Sequence, residues 1–124
     1  MFIFTLLCLF ALATTACADK PLTVGAERTK EDLPQLESKR VAVLAIHTAM
    51  AGEEHLVDML VRESINVVGI FSPEHGFRGG ADAGEHVKSS VDEKTGIPIW
   101  SLYDGKSGRP SDDKMQAFDV LLVD

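Results

Sequence analysis

The sequence has 124 residues and a formal net charge of −7, and its two cysteines, Cys8 and Cys17, both fall within the first 18 positions. The rest of the chain therefore has neither a disulfide scaffold nor a Cys-based zinc site. Its acidity argues against nucleic acid as a partner, because phosphate binding relies on a basic surface, and its length allows one domain at most.

Residues Met1 to Ala18 carry no charge, 15 of the 18 are apolar, and the segment ends in Ala16-Cys17-Ala18 just before Asp19. The apolar run is shorter than the ~20 residues a bilayer span needs, so positions 1–18 read as an export signal. Two fates follow from its end. Cleavage before Asp19 gives a free periplasmic or extracellular protein. Alternatively Cys17 carries a lipid and anchors the chain to a membrane, although Thr14 stands where such signals usually have Leu. Residues 19–38 mix Pro21, Gly25, Pro34 and many charges without apolar periodicity, which predicts a leader or linker ahead of a domain at 39–124.

Val41 to Ile46 is a continuous, β-branched apolar run and predicts a strand buried on both faces. Ala51-Gly52 marks a turn, and Glu53 to Ser64 predicts a helix with Leu56, Val57, Leu60 and Val61 on its apolar stripe. Asn66 to Phe71 is a second buried strand, so the three elements form a βαβ unit with parallel pairing. Ile97 to Leu102 predicts a third strand, Ser111 to Ala117 a short helix capped by Ser111, and Asp119 to Asp124 a fourth strand. The fold class is α/β with a Rossmann-like parallel sheet. No helix follows the last strand to cover that face of the sheet, which points to the N-terminal part of a larger catalytic domain, truncated before a second domain.

Ser72 to Gly96 is the segment that draws chemistry. Its 25 residues show little regular pattern, hold half of the ten glycines, and begin at the C-terminal end of a strand, where open α/β sheets place ligands. Pro73-Glu74-His75-Gly76 puts a carboxyl and an imidazole in a stiff turn, and Arg78, Asp82 and Glu85 come within reach if the glycines fold the loop back. Glycosidic hydrolysis usually needs two carboxyl groups flanking the bond, and Glu74 with Glu85 or Asp82 supplies such a pair. A solvated, acidic, glycine-rich surface loop would read the same way from composition. His75, Asp82, Glu85 and His86 offer metal ligands, but no spaced pair fixes a coordination geometry, so no metal is expected. Gly76-Phe-Arg-Gly79-Gly80 matches no nucleotide-binding turn, and no cofactor is expected. His47 and Tyr103, closing the first and third strands, are substrate contacts or hydrogen-bonded structural residues; His55 is a surface or capping residue.

The ordered strings Phe71-Ser-Pro-Glu-His-Gly-Phe-Arg-Gly79, Asp82-Ala-Gly-Glu85, Val91-Asp-Glu-Lys-Thr-Gly-Ile-Pro98 and Ser101-Leu-Tyr103 occur within 33 residues. Together they resemble the exo-β-N-acetylmuramidases of glycoside hydrolase family 171, the NamZ type, over roughly Arg40 to Asp124. The resemblance implies an exported hydrolase that removes N-acetylmuramic acid from the non-reducing ends of peptidoglycan fragments, in cell-wall turnover or recycling. It also implies an active site in a cleft between a Rossmann-like domain and a C-terminal one. On the matching positions, Glu74 is the leading catalytic carboxyl and Glu85 the next. His75, Gly76, Arg78 and Asp82 line the pocket, with Arg78 a partner for the lactyl carboxylate of the sugar. Three departures stand out: Ile46 replaces a usual Asn, Asp104 is inserted before Gly105, and a Gln-Asp-Val-Gly-like segment expected after Asp124 is absent. Two rival readings remain. One is a truncated chain that is inactive or binds muropeptides without cleaving them; the other is a metal-dependent hydrolase.

Overall fold

A computed structural model describes residues 22–73, 76–79, 88–103 and 108–124. A short 3-10 turn at Gly25–Glu27 leads into helix α1 (Thr29–Leu36). Then come β1 (Val41–Leu44), the two-residue strands β2 (Met50–Ala51) and β3 (Glu54–His55), and helix α2 (Leu56–Arg62). Strand β4 (Val67–Ser72), β5 (Ser90–Val91), β6 (Pro98–Ser101), helix α3 (Asp112–Met115) and β7 (Val120–Val123) complete the order.

The main sheet runs β5-β6-β4-β1-β7. β1 lies at its centre, parallel to β4 on one side (Val43 beside Ile70) and to β7 on the other (Val43 beside Leu122). β6 joins β4 in parallel, while β5 runs antiparallel to β6 along the edge. The predicted α/β class with a mostly parallel sheet is therefore what the chain forms. The four predicted strands all appear: β1, β6 and β7 are shortened by one or two residues at their ends, and β4 is shifted by one residue to Val67–Ser72. Continuous apolar runs were legible because β1 and β4 are buried on both faces.

One face of the sheet packs Val41, Val43 and Ile70 against Leu56, Val57 and Leu60 of α2, with Leu36 of α1 alongside. The other face is aromatic. Phe71 lies 5.0 Å from the Trp100 ring and 5.9 Å from that of Phe118. Gly69 makes room there: a Cβ on it would stand 2.3 Å from the Trp100 indole. On the same face of β7, Leu121 and Val123 are exposed, at 40% and 66%. At the opposite end of the strands, Arg40 donates from its backbone N–H and its guanidinium to Asp119, tying the start of β1 to that of β7.

Three expectations need correction. Residues 19–38 were read as a leader or linker without apolar periodicity; positions 29–36 are helical, and Leu36 is buried while Leu33 and Ala26 pack against the same core. Three apolar side chains at near-helical spacing sufficed, although Pro34 and the flanking charges hid them. The helix predicted from Glu53 starts only at Leu56: residues 50–55 form a β-hairpin turning at Gly52, whose φ is +64°. Of the predicted stripe Val61 is exposed, and Met59 is buried in its place. Finally, the long loop contains β5, which two short, exposed residues did not reveal.

Candidate active site

The carboxyl ends of β1, β4 and β6 deliver His47, Pro73 and Tyr103 to one edge of the sheet. The backbone continues the ladder past the strands: the Ala45 N–H donates to the Phe71 carbonyl at 3.2 Å, and Leu102 N–H to Ser72 at 2.9 Å. Ser101 Oγ accepts the Tyr103 N–H at 3.0 Å and so fixes the chain as it leaves β6. The Tyr103 side chain is 40% exposed.

After β4 the Gly76 N–H returns to the Pro73 carbonyl at 3.1 Å, with Gly76 at φ +73°. Phe77 then enters the core, 2% exposed, and meets the His55 ring edge to face at 4.7 Å. His55 is a capping residue, as the sequence suggested, but a buried one. Its Nδ1 accepts the Val57 N–H at the start of α2, so its Nε2 carries the proton and donates to the Ile46 carbonyl at 3.0 Å. One imidazole thus ties the end of β1, the start of α2 and the loop after β4. The exposed His47 ring lies against Gly79, where a Cβ would stand 2.9 Å from its Cγ; φ of +75° independently favours glycine there.

Arg78 follows Phe77 and stacks over its ring at 4.5 Å. Its guanidinium makes two bidentate pairs. Nε and Nη2 donate to Asp92 at 3.0 and 2.8 Å, and Nη1 and Nη2 donate to Asp58 at 3.1 and 2.9 Å. Lys94 Nζ adds a 2.7 Å bond to Asp58, and the Thr95 hydroxyl a 2.6 Å bond to Asp92. The carboxylates are buried, 7% and 4% exposed, whereas the Arg78 side chain is 35% exposed. Hydrogen bonding from Arg78 outweighs their burial and lowers both acids, Asp58 to about 2. The Asp92 and Asp58 carboxylates in turn raise the already high pKa of Arg78.

The structure therefore brings His47 against the loop after β4 and sets Tyr103 at the same edge. Glu74, His75, Asp82, Glu85 and His86 lie outside the described residues, as do Cys17 and the whole segment 1–18 that was read as an export signal. The sequence reading did not single out Asp58. Its only signal was a charge inside Leu56-Val-Asp-Met-Leu60, a run otherwise apolar. Among the described residues no three His, Cys, Asp or Glu side chains are grouped to hold a metal ion, and no helix is long and apolar enough to cross a membrane. An apolar groove of about 240 Å³ beside α1 and α2, lined by Leu33, Leu36, Met59 and Leu122 among others, contains none of the candidate residues.

A mostly parallel α/β domain with a clamped loop at the carboxyl edge of its sheet belongs to the class whose ligand sites are built from strand-end loops. Residues 41–124 match the family model described as the N-terminal part of the exo-beta-N-acetylmuramidase NamZ, and the chain belongs to that family. It is 38% identical over 95 residues to the peptidoglycan beta-N-acetylmuramidase NamZ of Bacillus subtilis (strain 168), a match covering 73% of this chain and 22% of that protein. Two solved structures of DUF1343 family proteins from Bacteroides fragilis NCTC 9343 are also similar. BF0379 is 46% identical with a TM-score of 0.67, and BF0371 is 32% identical with a TM-score of 0.70. Each match covers 82% of this chain and 25% of the other, so the chain spans about a quarter of the length of these relatives.

Proposed function

We propose that this chain forms the N-terminal wall of the active site of an exo-β-N-acetylmuramidase, which removes N-acetylmuramic acid from the non-reducing ends of peptidoglycan fragments. The observation that carries the reading is the Phe71–Gly79 motif at the carboxyl edge of the sheet, in a chain whose residues 41–124 match the NamZ family. Glu74 is the catalytic acid. It donates its proton to the glycosidic oxygen as the bond to the anomeric carbon breaks. Glu85 is the second carboxyl, acting on the anomeric carbon directly or through a water. His47, His75, Gly76, Asp82 and Tyr103 line the sugar pocket. Residues 1–18 direct export, ending in cleavage before Asp19 or in a lipid on Cys17.

The test is release of free N-acetylmuramic acid from a muramic-acid-terminated disaccharide, by the chain continued through the C-terminal portion that its relatives possess. Glu74→Gln should reduce release at least 100-fold, the scale of a lost general acid, and chelators should leave the rate unchanged. Unaltered turnover by the variant would refute the assignment, and loss of activity on chelation would favour a metal-dependent hydrolase. A second reading is favoured by coverage of only 22% of the Bacillus subtilis relative: the chain alone binds muropeptides without cleaving them. Calorimetric titration of the chain alone separates the two, since heat of binding without product supports the binding module.

A further inference from the structure

We infer that Arg78 is a positioning residue for the site proposed above rather than the ligand of the sugar's lactyl carboxylate, and that Asp58 and Asp92 are the residues through which it acts. The inference rests on that functional reading for its substrate but on geometry for its content.

A guanidinium has five N–H donors and recognises a carboxylate best through two parallel bonds. In Arg78 the Nε/Nη2 pair is taken by Asp92 and the Nη1/Nη2 pair by Asp58, leaving one N–H uncommitted among the described residues. No bidentate edge remains for a third carboxylate. The charges point the same way. Two buried carboxylates are balanced by Arg78 and Lys94, and an incoming anion would meet Asp58 and Asp92 behind the one cation it approached.

What the clamp joins is also specific. Asp58 sits on α2, Asp92 on the turn between β5 and β6, and Arg78 on the loop after β4, next to the buried Phe77. Thr95 braces Asp92 from its backbone N–H as well as its hydroxyl. Phe77 in the core and Arg78 in this clamp fix residues 76–79, and with them the exit of the chain from the strand that precedes Glu74. Precise placement of a reacting group depends on such supporting contacts.

The experiment compares binding of a muropeptide with that of its lactyl methyl ester, by calorimetry, for wild type, Arg78→Met, Asp58→Asn and Asp92→Asn, with amide hydrogen exchange measured on the same 124-residue proteins. Each variant should weaken binding of acid and ester alike by about tenfold, the value of one charge-assisted hydrogen bond. The acid-to-ester ratio should stay within about twofold of wild type, and exchange should quicken at residues 76–79 ahead of β1. Loss of acid binding with ester binding retained in Arg78→Met alone would overturn the inference and make Arg78 the substrate's partner. Unchanged exchange and binding in Asp58→Asn and Asp92→Asn would overturn it as well. Thr95→Val, which removes the hydroxyl that donates to Asp92 and accepts the Ile97 N–H, gives the same readings if a charge variant fails to fold. If wild type binds neither ligand, the reading of the chain alone as a binding module fails, and the exchange data alone decide whether the clamp holds the loop.

Discussion

Asp58 is a carboxylate in the buried face of a helix, and its stability contribution depends on pH with a definite sign. Its folded pKa is lowered from 3.8 to about 2, chiefly by hydrogen bonds from Arg78. The stabilisation is present above the unfolded value and is lost as pH falls from about 4 towards 2, an effect on the order of 2 kcal/mol. Asp92, lowered by the same arginine, adds to the same acid limb. Asp58→Asn should cost about 3 kcal/mol at neutral pH, because it leaves Arg78 and Lys94 without their shared anion. It should also flatten the fall in stability between pH 4 and 2, and urea titrations at a series of pH values read both effects. Gly69 makes a steric prediction. Alanine there would place a carbon 2.3 Å from the Trp100 ring, so the indole must move. Gly69→Ala should cost about 1–3 kcal/mol or more, seen as a lower urea midpoint.

Among the elements, the strands were legible and their attachments were not. β1 and β4 showed as apolar runs because parallel strands buried on both faces need no polar alternation, and β6 and β7 showed by their apolar residues although Leu121 and Val123 are exposed. α1 was hidden, since Leu33 and Leu36 are its only leucines and Pro34 sits between them. β2, β3 and β5 are two residues each, too short for a period to register. The loop after β4 was found by its glycines, its charges and its place at a strand's carboxyl end. Its partner Asp58 was not, because a charge beside an apolar stripe ordinarily faces water, and its pairing with the distant Arg78 and Lys94 is what makes burial tolerable. If α1 is part of the core rather than a tether, Leu36→Ala should destabilise the chain by about 2–3 kcal/mol; a tether would give no change in the melting curve.

At the scale of the whole molecule, one face of the sheet is closed by α2 and α1, while on the other Leu121 and Val123 of β7 stand exposed. The match to the solved relatives covers only a quarter of their length. The domain described here supplies a sheet edge, a clamped loop and the strand ends around it. The most direct test is the position of a bound muramic-acid disaccharide in a crystal of the chain continued through the relatives' C-terminal portion, with Glu74→Gln to prevent turnover. The account predicts the glycosidic oxygen within about 3 Å of the residue-74 side chain, with Arg78 still bridging Asp58 and Asp92. A sugar seated in the groove beside α1, or with its lactyl carboxylate paired to Arg78, would contradict it.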